Sequence, residues 1–203
     1  MKKKDLFAEK SKHWDMNSKR VQSAKSIALE IEKSINLNKN MHIMDFGAGT
    51  GLLSYCLSHT IGKVTAIDNS PSMLAFFHEK SEAFSCETAV LELDLVKDNL
   101  LKDTMYDGII SSMTLHHIQD IKALFSKFYD ALKNDGFMAL ADLDSEDGTF
   151  HSDNEGVFHF GFERGFLEKV AKEVGFKEIK FKTVNTIKKP HATFTVFLMS
   201  LYK

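Results

Sequence analysis

The chain has 203 residues, 43% of them hydrophobic and 27% charged, enough to bury a substantial core as one globular domain. Lys and Arg total 26 against 28 Asp and Glu, and this near-balance excludes a general pull toward nucleic acid or anionic lipid. Two cysteines, Cys56 and Cys86, exclude a disulfide framework, and Cys56 among Leu53, Tyr55 and Leu57 reads as a buried thiol.

The basic start Met1-Lys2-Lys3-Lys4 has no apolar stretch after it, so no signal peptide is expected, and no run is long enough to span a bilayer. A cytoplasmic protein is the expectation. Val21, Ala24, Ala28, Ile31 and Ile35 recur at helical spacing and predict a helix over 19–35. Residues 41–46 read as a strand running into glycines, 52–59 as a helix, and 63–68 as a second strand. Ser70 and Pro71 offer an N-cap and a first-turn proline for a helix to about Ala83. Strands follow at 87–93 and 107–113, then a helix over 118–132 closed by Asn134-Asp135-Gly136, and a buried strand at 137–143.

This alternation implies crossover connections and a parallel sheet. After a helix at 163–174, residues 176–184 and 193–201 are β-rich with no helix between them, so they should pair antiparallel. The predicted fold is α/β: a Rossmann-like, seven-stranded, mostly parallel sheet with an antiparallel C-terminal hairpin and helices on both faces. One domain spans 1–203, with 1–20 as an N-terminal lid and 144–162 as an insertion.

The most informative stretch is Met44-Asp45-Phe46-Gly47-Ala48-Gly49-Thr50-Gly51-Leu52. A strand enters three alternating glycines and a helix leaves them, which lets backbone approach a ligand closely. Asp68 ends the next strand about 20 residues on, where a carboxylate can accept both hydroxyls of a ribose diol. Asp94, within Leu93-Asp94-Leu95, ends the third strand and suits an exocyclic amine. Carboxyl ends of parallel strands are where α/β sheets bind ligands.

These segments, with Ser70-Pro71-Met73-Leu74, Tyr106-Asp107-Gly108-Ile109-Ile110 and Leu115-His116-His117-Ile118, resemble the signatures of class I S-adenosylmethionine-dependent methyltransferases over 41–143. The nearest likeness is to the small-molecule branch that includes the ubiquinone and menaquinone biosynthesis methyltransferases. The resemblance implies S-adenosylmethionine as cofactor and S-adenosylhomocysteine as product. It implies that Gly47, Ala48, Gly49 and Gly51 pass under the methionyl part and that Asp45 helps hold its amino group. Asp68 would take the ribose, Asn69 and Met73 would border the adenine, and Asp94 with Leu95 would take the adenine amine. Ser111 and Met113 would close the methionyl side. Phe7, Ala8, Trp14 and Asp15 resemble that branch's lid.

Methyl transfer from a sulfonium needs no metal, and a base only if the acceptor arrives protonated. Histidine suits that work near neutrality. His116, His151 and Asp142 are the candidates for catalysis, and Phe7, His13, Trp14, His117 and His159 for the lid and acceptor side. The acidic, aromatic segment 144–162 leaves the fifth strand and reads either as an acceptor-binding insertion or as a solvated turn followed by core aromatics. No metal site is expected. The expected partner is a small-molecule substrate, with no nucleic acid and no membrane span, in a monomer or homodimer.

The glycines run G-x-G-x-G, unlike the G-x-G-x-x-G of nicotinamide-dependent dehydrogenases. The fourth strand ends Ser111-Ser112-Met113-Thr114 and lacks the Asn/Asp-Pro-Pro-aromatic tetrad of enzymes that methylate base amines. Two alternatives stay open: a non-catalytic S-adenosylmethionine-binding module, and a methyltransferase acting on RNA or protein.

Overall fold

The computed structural model describes Asp5, residues 7–94, Asp98 and residues 105–203. Seven strands run in the order β3-β2-β1-β4-β5-β7-β6, where β1 is His42–Phe46, β2 Lys63–Asp68, β3 Glu87–Glu92, β4 Tyr106–Ser112, β5 Leu132–Leu143, β6 Lys177–Lys188 and β7 Thr193–Tyr202. The strands β1 and β2, β2 and β3, and β4 and β5 pair parallel, while β5 with β7 and β6 with β7 pair antiparallel. The α/β sheet with an antiparallel C-terminal end is therefore as expected. The backbone divides into two units, one ending at Asp94, which are described in turn.

In the first unit, α1 (Ala8–Ser11) precedes α2 (Ser18–Ser34). The Asn17 side chain accepts from the amides of Lys19 and Arg20 and so starts α2 where two backbone donors would otherwise be unpaired. Ile27 and Ile31, one turn apart, are fully buried. The short α3 (Leu52–Leu57) packs against α2, and α4 (Pro71–Lys80) packs against β2 and β3. Ser70 caps α4 by accepting the Met73 amide at 3.2 Å, with Pro71 in the first turn. A 3-10 turn, Ser81–Ala83, completes the stretch expected to be helical. The β1 and β2 runs Ile43, Met44, Val64, Ala66 and Ile67 are buried, as strands covered on both faces require. Cys56 corrects an expectation: its thiol is half-buried, because it lies beside Tyr55 on the outer side of a helix only six residues long.

In the second unit, a 3-10 turn (Leu115–His117) follows β4, and α5 (Ile121–Ala131) starts at Asp120, which accepts the Ala123 amide at 2.9 Å. The cap stops the helix from reaching back to Ile118. Helix α5 packs on α6 (Arg164–Val174), which ends at Gly175 in the left-handed conformation. The core here is aromatic and aliphatic: Phe125 and Phe128 of α5, Phe137 to Ala141 of β5, and Val196 to Met199 of β7. Among the described residues no helix is long and apolar enough to cross a membrane.

Candidate cofactor and acceptor sites

The glycine loop is built by β1 entering a turn that α3 must leave. Gly47, Gly49 and Gly51 have φ of 65°, 55° and 80°. These left-handed angles strain any residue with a Cβ. At Gly51 sterics add to this, since a Cβ there would lie 2.5 Å from the Phe77 ring.

The loop's amides are committed to protein acceptors. Gly47 and Ala48 donate to the Ile67 carbonyl at 2.8 and 3.2 Å, and Gly51 donates to the Ala48 carbonyl at 2.8 Å. Gly49 donates to Asp68 Oδ2 at 2.8 Å. A phosphate-binding loop needs such N–H groups free and converging on the anion. This loop instead ties the ends of β1 and β2 together and presents carboxylates.

Asp68 also accepts the Ser70 amide through Oδ1 at 2.9 Å. Each carboxylate oxygen keeps acceptor capacity beyond these bonds, which is the donor-to-acceptor match a vicinal diol requires. Burial pushes the Asp68 carboxyl above its ordinary range, against the amide bonds that lower it. Leu93 donates its amide to the Asp68 carbonyl at 2.9 Å. That bond sets Asp94, the next residue, at the end of β3 beside the end of β2. Leu95 lies outside the described residues.

Asp45 is 2% exposed, with the Ser54 hydroxyl donating to its Oδ2. Burial pushes its carboxyl up to about 7, the Ser54 bond opposes this, and the nearby Asp68 charge adds to it. An incoming cation would draw the proton off. Met73 is buried below the loop: a Cβ on Gly49 would meet its sulfur at 3.9 Å. Asn69 is exposed between Asp68 and the α4 cap.

The N-terminal residues of this unit reach the same loop. Asp15 accepts the Thr50 hydroxyl at 2.5 Å and the Lys80 ammonium. Asp5 accepts the Ser70 hydroxyl at 2.8 Å and the Ser72 amide at 3.2 Å. Phe7 meets Trp14 edge to face at 6.1 Å, and the Arg20 guanidinium lies 3.9 Å over the indole. His13 contacts the Met16 sulfur at 3.4 Å. Sequence reasoning noted the aromatic pair but missed the ties through Asp5, Thr50 and Lys80, which join residues up to 67 apart and carry no local signal.

In the second unit, β4 ends at the buried Ser111 and at Met113, whose φ is 58° and whose amide donates to Ala141 at 2.8 Å. Asp142, at the end of β5, is 0% exposed. Its Oδ1 accepts His116 Nδ1–H at 2.8 Å and the Leu143 amide at 2.7 Å, and its Oδ2 accepts the His116 amide at 3.3 Å. His116 is 1% exposed, and its Nε2 has no hydrogen-bond partner. The rings of His117 and His151 stand 4.2 and 4.9 Å from that of His116. The structure thus gathers three sequence-predicted residues, His116, His151 and Asp142, into one cluster, with His117 at its edge.

The segment 144–162 is held both by its own polar groups and by residues outside it. Arg164 makes a bidentate pair with Asp144 at 2.7 and 2.8 Å, and Glu146 accepts the amides of residues 148, 149 and 150. His117 donates from Nδ1 to the Gly156 carbonyl at 2.7 Å, and His159 from Nε2 to Ile118 at 2.9 Å. Phe158 and Phe160 are exposed and Phe162 is buried. Among the described residues no group of three His, Cys, Asp or Glu could hold a metal ion.

Comparison with known proteins agrees with this geometry. Residues 43–136 match the family model of a methyltransferase domain. An uncharacterized methyltransferase of Schizosaccharomyces pombe is 31% identical over 170 residues, covering 77% of this chain and 58% of that protein. These matches support a class I S-adenosylmethionine-dependent methyltransferase.

A malonyl-[acyl-carrier protein] O-methyltransferase of Acetivibrio thermocellus is 26% identical, over 77% of this chain and 52% of that protein. The chain thus spans about half the length of the curated relatives it matches. The Haemonchus contortus phosphoethanolamine N-methyltransferase 2, solved with phosphomonomethylethanolamine and S-adenosylhomocysteine, shares the fold with a TM-score of 0.69 at 15% identity, covering 100% of this chain and 60% of that one. These relatives carry the class as expected; being named for other acceptors, they give no specific support to the quinone branch.

Proposed function

We propose that this methyltransferase transfers a methyl group from S-adenosylmethionine to a small-molecule acceptor. The observation that carries the reading is the Gly49 amide bonded to Asp68 in a loop whose other amides at 47, 48 and 51 are also committed within the protein. Such a loop suits an adenosyl amino acid held by carboxylates and disfavours a pyrophosphate.

In this reading Asp68 binds the ribose hydroxyls, and Asp45 takes the cationic amino group while releasing its own proton. Gly47, Ala48, Gly49 and Gly51 form the surface under the methionyl part. Asn69, Met73, Asp94 and Leu95 belong to the adenine side, and Ser111 and Met113 to the methionyl side. When bound, the cofactor supplies an electrophilic methyl on a positively charged sulfur, so the protein's contribution is alignment and exclusion of water. Asp15, through Thr50, and Asp5, through Ser70, register the N-terminal lid with Phe7, His13 and Trp14 on the loop. His116, His117, His151, His159 and Asp142 serve the acceptor. The relatives named for malonyl-[acyl-carrier protein] and phosphoethanolamine support a small acidic or amino acceptor group.

The test is a thermal-shift comparison with S-adenosylmethionine, S-adenosylhomocysteine and NAD. At about 100 times its dissociation constant, a bound ligand stabilises by roughly 2.7 kcal/mol. The two adenosyl sulfur compounds are expected to raise the midpoint and NAD to leave it unchanged. Stabilisation by NAD alone would overturn the reading.

A further inference from the structure

Asp142 and His116 form a buried pair of defined polarity. The Asp142 carboxyl accepts three donors: the Leu143 amide, the His116 amide and the His116 Nδ1–H. An acceptor facing Nδ1 holds a proton on Nδ1, and in the neutral ring this leaves Nε2 as a bare lone pair. That nitrogen is buried and meets no donor in the protein. A buried acceptor left unpaired is costly, and such groups persist where a ligand completes them.

The backbone of His116 is fixed as tightly as its ring. Its carbonyl accepts the amides of Phe158 and His159 at 2.9 and 3.2 Å. His151 packs its ring on His116 at 4.9 Å, and its own Nε2 is also buried without a partner. Burial holds the His151 imidazole down to about 4, with His116, His117 and Lys189 adding to this and Asp142 opposing it. At neutral pH His151 therefore adds no positive charge beside His116.

Resting on the methyl-transfer reading, we infer that His116 Nε2 is the general base, with Asp142 as its positioning residue, and that the methyl acceptor is an O–H or N–H group that arrives protonated. The acceptor's bond to hydrogen breaks, its proton goes to Nε2, and the freed pair on oxygen or nitrogen bonds the methyl carbon. The pair of the broken carbon–sulfur bond stays on sulfur, so the positive charge of the sulfonium ends on the imidazolium beside Asp142. Because His116 is 1% exposed, acceptor entry requires a covering group to move.

The first measurement is the histidine side-chain 15N spectrum of the full chain with S-adenosylhomocysteine at pH 8, with His116→Gln used for assignment. The inference predicts a neutral His116 protonated on Nδ1 and bare at Nε2. A proton on Nε2 would overturn it, whatever the cofactor. The second measurement follows S-adenosylhomocysteine release over phenols, alcohols and primary amines, against carboxylates, tertiary amines and thioethers that carry no proton to lose. Turnover is expected with protic acceptors, falling roughly 100-fold to 10,000-fold in His116→Gln while calorimetric S-adenosylmethionine affinity is retained. A protic acceptor methylated at the wild-type rate by His116→Gln would also overturn the inference. Loss of S-adenosylmethionine binding by the wild type would instead remove the reading beneath it and leave the tautomer result intact.

Discussion

The Gly49 amide donates to Asp68 across 2.8 Å, joining the loop after β1 to the carboxylate that ends β2. This bond makes the loop's shape and the carboxylate's position one structural feature. The left-handed angle at Gly49 aims the amide, and the Ser70 amide on Oδ1 keeps the carboxylate from turning away.

Gly51 leaves no room for a side chain. Gly51→Ala combines a φ of 80° with a Cβ 2.5 Å from the Phe77 ring, itself fully buried. Strain at such a backbone angle costs about 1–3 kcal/mol, and the ring contact adds to it. Urea unfolding should show a lowered midpoint with an unchanged slope. An unshifted midpoint would contradict the packing described.

Asp45 couples cofactor binding to protons. The folded chain holds its proton up to about 7, whereas an unfolded chain releases it near the ordinary aspartate value of 3.8. The stability this group contributes is therefore present at low pH and lost as pH rises toward and through 7. Asp45→Asn should be more stable than wild type at pH 8, by on the order of a few kcal/mol, and the difference should shrink toward pH 4. If Asp45 meets the cofactor's amino group, binding near pH 7 releases a proton, and the calorimetric enthalpy varies with the buffer. A buffer-independent enthalpy would remove Asp45 from the amino-group site.

His151 acts in the opposite direction. Its imidazole is held down to about 4, while an unfolded chain takes up the proton near 6.5. The stability it contributes is present above 6.5 and lost as pH falls from there through about 4. His151→Gln should therefore lose less of its urea midpoint between pH 7 and pH 5 than wild type does. Equal losses would show that the ring is not desolvated as described.

Much of the first unit was legible because its signals are local. The strand Lys63–Asp68 is found at its expected bounds, and Ser70 with Pro71 opens α4 as a cap and first-turn proline should. Elsewhere turn residues misled. Asn134-Asp135-Gly136 reads as the end of a helix, yet β5 already begins at Leu132, opposite Tyr106, with an irregularity before Gly108 and with Asp135 at a φ of 61°. Similarly, β6 runs on to Lys188 because irregularities near Lys180 and Asn185 keep it paired with β7 after the sequence alternation fades.

The candidate site divides in the same way. The glycines, Asp68 and Asp94 announce themselves by their place at strand ends. His116 and His151 are 35 residues apart, and only the folded segment after β5 brings their rings to 4.9 Å. The acidic run 142–147 looks uniform in sequence, but Asp142 holds a histidine, Asp144 an arginine and Glu146 three backbone amides. Tertiary partners, which no local pattern encodes, set those roles.

The most direct test of the account is calorimetric titration of S-adenosylmethionine into wild type and Asp68→Ala, with urea unfolding to establish that the variant is folded. Losing a charged hydrogen-bonding partner for the ribose should cost about 1.5–3 kcal/mol, roughly a tenfold to hundredfold weaker dissociation constant. A folded Asp68→Ala that binds S-adenosylmethionine as tightly as wild type would contradict the assignment of the loop and its carboxylate to the cofactor.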